Sequence, residues 1–302
     1  MNSNRMLVGK ASRDGIYKKE LERIEALGKE SMKGELPKTE EELALINTVH
    51  AIFYVESRRL GFSQVVISPE QVHFLKGEAF DQELPAHKGD GGVALTIRNS
   101  IVINTTVHKS KAEVLASLLH EWIHLASVIK IMAEGPDSLH DCKVGYHVSS
   151  PDDKSHYFLN FNEVVVTNTT YEFLLNVSKS GWLDKELGIT DNDIHGPLYG
   201  YMNYSDLLSE IIEGVARYRG LKEAEVWTEI KKNQFLGNMG HLKYINDAFG
   251  KGSLRVLSAL GRLDGREGKE LNSLVKKYFK NPCQTEKDKI LQQFIKAPSS
   301  LR

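Results

Sequence analysis

Apolar residues recur at steps of three and four along most of this chain, a spacing typical of amphipathic helices. In the N-terminal part this spacing predicts helices over residues 16–31 and 39–59. From residue 201 onward, further helical segments are separated by glycines, which commonly end helices. The last third of the chain is therefore expected to be all-α.

The middle of the chain breaks this pattern. Residues 94–106, ALTIRNSIVINTT, alternate apolar and polar positions on either side of Asn99, which predicts a strand pair or a bent strand. Ser110 and Glu113 then form a capping-box signature directly before an apolar run. A helix is therefore expected over 110–131.

The segment 132–158 looks irregular, with a short strand pair predicted around KVGYHV at 143–148. Apolar positions and a closing glycine predict another helix over 159–181, although three consecutive valines there are β-branched. This mixture of helices with a few short strands indicates an α+β protein.

Composition narrows the function classes. The 302 residues carry 39 Lys and Arg against 40 Asp and Glu, so the formal charge of -1 gives no global reason to expect nucleic acid or an anionic membrane as partner. The N-terminus lacks the apolar core of a secretory signal, and no apolar run approaches the ~18 residues of a membrane span. We therefore expect a cytoplasmic protein. Two cysteines, Cys142 and Cys283, are too few for a disulfide framework or a thiolate zinc site.

Candidate chemistry lies in LLHEWIHLAS, residues 118–127. His120 and His124 are one helical turn apart and project from one face, with Glu121 about 100° away. This HExxH spacing suits a zinc hydrolase, in which the two imidazoles bind Zn²⁺ and the glutamate holds and deprotonates a water. The competing interpretation is a buried helix that merely carries two histidines, and it would have to explain Glu121 within an apolar run.

A catalytic zinc typically takes a third protein ligand. The longer HExxHxxGxxH pattern is absent, because Ser127 and Lys130 occupy its later positions. We favour Glu163, because it begins the next predicted helix, which could pack against the first. Other candidates, of which His147 and His156 are the best substitutes, are Asp137, His140, Asp141, Cys142, His147, Asp152, Asp153 and His156.

The pair Asn162 and Glu163, 39 residues after His124, resembles the second motif of the gluzincins, zinc metallopeptidases with HExxH on one helix and a glutamate on a following helix. The resemblance covers roughly residues 92–260 and extends to small bacterial zincin-like proteins. It implies a zincin-like metallopeptidase domain with a small mixed sheet and active-site helices. It also implies His120, His124 and Glu163 as ligands of one zinc.

The same resemblance implies an oxyanion donor from the C-terminal part of the chain. Tyr201 is favoured for that role, with Tyr204 and His195 as alternatives. It further implies that substrate binds as an added strand along the 94–106 region. One departure is Thr167, which stands where many gluzincins carry an acidic residue that orients a zinc-bound histidine.

The sequence thus predicts an α+β protein with an N-terminal helical segment (1–60), a zincin-like catalytic region (61–180) and an all-α C-terminal region (181–302) that completes the cleft. Its predicted function is zinc-dependent hydrolysis of peptide bonds in a peptide or protein substrate, with Glu121 as general base. Two alternatives stay open: a catalytically silent zincin-like binding or regulatory module, and a zinc hydrolase of a non-peptide amide. Oligomeric state is not indicated.

Overall fold

The computed structural model describes residues 4–9, 16–63, 65–135, 138–150, 155–194, 204–260 and 265–296. Within these ranges the protein is α+β, as predicted. The helices are α1 (Ile16–Lys29), α2 (Glu40–Leu60), α3 (Gly77–Glu83), α4 (Lys111–Ala126), α5 (Leu159–Ser178), α6 (Trp182–Leu187), α7 (Asp191–Ile194), α8 (Ser205–Arg219), α9 (Glu223–Leu236), α10 (Lys243–Phe249), α11 (Ser253–Ser258), α12 (Gly265–Lys280) and α13 (Gln284–Lys296).

The strands are β1 (Arg5–Gly9), β2 (Val72–Leu75), β3 (Gly92–Leu95), β4 (Ser100–Asn104), β5 (Ile129–Gly135), β6 (Ser138–Val144), β7 (His147–Ser149) and β8 (His156–Tyr157). They form one sheet in the order β1-β5-β6-β7-β8 and another in the order β2-β4-β3. None of the helices in the described ranges has the length and apolar character that a bilayer span requires.

The chain divides into two compact units. The first unit comprises Met1–Asp141 with Val166–Tyr199, and the second comprises Cys142–Val165 with Gly200–Arg302. The boundaries fall inside β6 and inside α5, so each of these elements continues from one unit into the other. The predicted division at residues 60 and 180 stays a prediction.

In the first unit, β3 and β4 form the antiparallel pair expected from the sequence, and β4 also pairs in parallel with β2. The turn between β3 and β4 includes Asn99, which adopts a positive φ of 59°. The buried side chain of Gln71 donates to the Asn99 carbonyl at 2.8 Å and thereby fixes this turn. Helix α4 packs against β3 and β4, so the sheet supports the helix that carries the two histidines.

Helix α4 is shorter than the sequence predicted. It ends at Ala126, and the next residue, Ser127, adopts an extended backbone conformation (φ -70°, ψ 160°). The Ser127 hydroxyl donates to the Ile123 carbonyl at 2.8 Å. The following Ile129 and Ile131 are buried on either side of Lys130, an alternation that belongs to β5 and not to a longer helix. Strand β5 pairs in parallel with β1, a strand that the sequence did not indicate.

The second unit contains the predicted C-terminal helices and the predicted strand pair. Strands β6 and β7 pair across a turn at Gly145, and β8 adds to β7. One apolar cluster runs through α8 to α13 and includes Ile211, Val256 and Tyr278. Gly214 on α8 leaves room for the Phe249 ring, because a Cβ atom at this position would overlap the ring.

A buried carboxylate in the first unit, that of Glu35, should make stability depend on pH. The Glu35 carboxylate lies 2.8 Å from His73 Nδ1, and the other ring nitrogen of His73 lies 3.0 Å from the Gly28 carbonyl. Burial alone would raise the pKa of the Glu35 carboxyl. The Met32 N–H, His73 and Lys38 outweigh burial and hold this pKa below its ordinary value of 4.5.

Because the folded-state pKa is lowered, the Glu35 carboxylate stabilises the fold above about pH 4.5, and this contribution disappears as the pH falls through the folded-state pKa. We expect the free energy of unfolding of Glu35→Gln to fall less steeply with acid than that of the wild type. Urea titrations from about pH 6 to about pH 3 measure this slope. The exposed Glu30→Gln variant is the control, and parallel slopes for Glu35→Gln and wild type would contradict the linkage.

Candidate metal centre

Helix α4 fixes the backbone of the HExxH segment at both of its ends. At the start, Ser110 Oγ accepts the Glu113 N–H at 3.2 Å, and the Glu113 carboxylate accepts the Lys109 N–H. At the end, the Ser127 N–H donates to the carbonyls of Ile123 and His124. The predicted helix start is confirmed, and the histidines sit on a capped, rigid helix.

The two imidazoles face each other from successive turns of α4. Their Nε2 atoms are 3.1 Å apart and their ring centroids 4.8 Å apart. A tetrahedral zinc with bonds of about 2.05 Å would separate two nitrogen ligands by about 3.3 Å. The spacing of His120 and His124 therefore fits a shared metal ion. His124 is buried, at 7% exposure, and His120 is half-buried.

Glu163 completes a group of three. One ligand atom each from His120, His124 and Glu163 lie within 4.8 Å of one another, so these residues could hold a metal ion. No other set of three or more His, Cys, Asp or Glu side chains meets this criterion in the part of the chain that the structure describes. The predicted ligand set is thus brought together.

The position of Glu163 depends on the first turn of α5, which is held by several hydrogen bonds. The Asn162 side-chain oxygen accepts the Tyr146 N–H at 2.9 Å and the Gln234 amide at 2.8 Å. Just before the helix, the Phe158 N–H donates to the Ser258 carbonyl at 3.0 Å. The sequence singled out Asn162 only as a neighbour of Glu163, whereas in the structure its side chain ties the first turn of α5 to Tyr146 and Gln234.

Glu121 lies outside the three-residue group and next to the edge strand β3. A Cβ atom at Gly92, the first residue of β3, would lie 3.2 Å from Glu121 Cγ. The Glu121 side chain is half-buried. Its place on the helix, beside a strand and not among the ligand atoms, leaves its carboxylate available to act as a base.

Three of the alternative third ligands, His147, His156 and Asp141, have other partners, whereas His140 Nε2 is buried without a hydrogen-bond partner among the described residues. His147 Nε2 lies 3.2 Å from His156 Nδ1, so these two histidines pair across β7 and β8. The Asp141 carboxylate accepts a hydrogen bond from Thr96 Oγ1 at 2.9 Å. Asp137, Asp152 and Asp153 lie outside the described residues.

The expected oxyanion donor remains a prediction, because Tyr201 and His195 lie outside the described residues. Tyr204, the other alternative, is described. Its hydroxyl accepts a hydrogen bond from the Asn272 amide at 2.8 Å, and Lys276 Nζ lies 4.8 Å from its ring centroid. These contacts hold Tyr204 as a packing residue of the C-terminal helices.

Thr167 lies one helical turn after Glu163, on the same side of α5. It is 2% exposed, and its hydroxyl has no hydrogen-bond partner among the described residues. A buried hydroxyl without a partner costs about 1–3 kcal/mol, so such a group commonly serves a bound ligand or water. Thr167 therefore supplies no described hydrogen bond to orient His120 or His124 in the place where many gluzincins carry an acidic residue.

Comparison with protein-family models, curated proteins and solved structures finds no match for this chain.

Proposed function

We propose that this chain is a zinc-dependent metallopeptidase. The observation that carries the proposal is the group formed by His120, His124 and Glu163, with ligand atoms within 4.8 Å of one another. Two imidazoles and one carboxylate are a donor set of catalytic zinc sites that keep one position open. The same donors also suit ferrous iron. Glu121, directly after the first histidine, favours hydrolysis with zinc.

His120, His124 and Glu163 would hold the zinc, which would act there as a Lewis acid towards a substrate carbonyl and a water. Glu121 then has the role of general base. Its carboxylate accepts a proton from that water and passes it to the nitrogen of the leaving amine. His120 and Glu121 are half-buried, so both side chains can be reached from solvent.

Peptides are the substrate class that the neighbouring strand favours. In the sheet order β2-β4-β3, strand β3 lies at an edge, and its first residue packs beside Glu121. A substrate in extended conformation can hydrogen-bond to such an edge and so place a carbonyl near the base. A small-molecule amide lacks the extended backbone that would hydrogen-bond along this edge.

The proposal is tested first by metal content. We expect about one zinc per chain in purified wild type and a large loss in His120→Ala, because two remaining ligands bind weakly. Multi-element mass spectrometry measures every transition metal at once. His87→Ala is the matched control, since the His87 side chain is 40% exposed and its ring pairs only with Asp90 among the described residues.

Three outcomes decide the proposal. Zinc that is lost in His120→Ala, together with cleavage of a peptide library by wild type, supports a metallopeptidase. Zinc without cleavage of any peptide would instead favour the silent binding module or a non-peptide amidase. Iron in place of zinc, or no metal after a metal-replete preparation, would contradict the proposal.

A further inference from the structure

The second unit contains a pocket far along the chain from the metal ligands. Its volume is about 340 Å³, within the range of pockets that bind small molecules. Four helices contribute its walls: Glu210 and Arg217 come from α8, Phe249 ends α10, Lys280 ends α12 and Lys287 belongs to α13. The walls therefore combine aromatic rings with charged side chains.

Lys287 is the unusual member of this pocket. It is 8% exposed, although lysine is rarely buried without a charged partner. Its Nζ donates to the Phe249 carbonyl at 3.4 Å and lies 5.2 Å and 5.6 Å from the ring centroids of Phe249 and Tyr278. An ammonium group carries three donors, and only this one carbonyl accepts from it within the described ranges.

The other charges around the pocket do not neutralise this ammonium. Glu210 attracts it, but no carboxylate oxygen of the described residues lies within ion-pair distance of Lys287 Nζ. Burial lowers the pKa of Lys287, and the attraction of Glu210 only partly opposes this. Lys280 adds a further positive charge to the rim, whereas the Arg217 guanidinium pairs with the Glu213 carboxylate.

We propose that this pocket binds a small organic anion, a carboxylate attached to an apolar group, through Lys287. The carboxylate accepts hydrogen bonds from the donors of Lys287 Nζ that lack a described acceptor. The apolar part of the ligand packs against Phe249 and Phe279. A carboxylate matches the single buried cation, whereas a doubly charged phosphate would require more donors within the apolar walls.

Hexanoate is a suitable probe, and 1-hexanol is its uncharged counterpart of nearly the same size. We expect hexanoate to bind the full chain at one site and to shift the backbone NMR signals of residues around Phe249 and Lys287. Hexanol should bind at least about tenfold more weakly, because it cannot replace a charge-assisted hydrogen bond. Titration calorimetry and NMR at millimolar concentrations measure both ligands.

Lys287→Met keeps much of the side-chain volume and removes the charge, and it should weaken hexanoate binding by at least about tenfold. Lys289→Met on the same helix is the matched control, since the Lys289 side chain is 66% exposed and should leave binding unchanged. If Lys287→Met does not fold, the proposal is still tested by comparing how hexanoate and hexanol bind to the wild type.

Several results would overturn the proposal. They are no hexanoate binding at millimolar concentrations, equal binding of hexanol, or equal binding by a folded Lys287→Met. Signal changes confined to α4 and α5 would place the anion at the metal ligands and would equally overturn it. None of these results depends on whether the chain hydrolyses peptides.

Discussion

Glu121→Gln is expected to keep about one zinc per chain while peptide hydrolysis falls by a factor of about 10³. Glutamine has nearly the shape of glutamate, so packing beside Gly92 is preserved. Its amide cannot accept the proton of the attacking water, and the general-base contribution is lost. Metal analysis and initial rates on the same preparation measure both quantities.

The control for this experiment is Glu78→Gln, an equal change of charge at an exposed position on α3. This control should retain both zinc and activity. Activity of Glu121→Gln equal to that of wild type would refute the mechanism. Loss of zinc together with activity would instead mean that Glu121 helps to hold the metal.

Glu163→Ala is expected to weaken zinc binding by at least about 100-fold. Removal of a residue that merely orients a ligand typically costs 10–100-fold in affinity, and loss of a direct ligand should cost more. Competition with a chelator of known zinc affinity measures the dissociation constant. The prediction rests on the grouping of Glu163 with His120 and His124.

Glu172→Ala provides the matched control on the same helix, because Glu172 pairs with Arg59 and lies outside the metal group. His147→Ala and His156→Ala should also leave zinc affinity unchanged, since these two histidines contact each other. Unchanged affinity in Glu163→Ala, with a loss in either histidine variant, would reassign the third ligand.

The parts of the site that depend on local sequence could be predicted. His120 and His124 are one turn apart on a helix whose start is marked by Ser110 and Glu113, so one element fixes their spacing. The strand pair β3 and β4 was equally visible, because alternation extends on both sides of a turn. Glu163 was favoured because it begins the next predicted helix and because its pairing with Asn162 resembles a known motif, and its carboxylate lies with the two histidines in a group that could hold a metal ion.

The parts that depend on distant contacts could not be predicted. The apolar run after His124 continues through Ile131, and the period-two burial of Ile129 and Ile131 becomes clear only when β5 pairs with β1. Strand β1 is only five residues long and lies in a segment that resembles a terminal tail. The buried hydroxyl of Thr167 likewise shows only in three dimensions.

Asn162, which holds the first turn of α5, draws its partners from distant parts of the chain. Tyr146 precedes it by 16 residues, and Gln234 follows it by 72. The spacing of the two histidines is set within α4 alone, whereas the position of Glu163 depends on a contact that spans 72 residues of sequence. A substitution of Gln234 would therefore disturb Glu163 and leave the spacing of the two histidines unchanged.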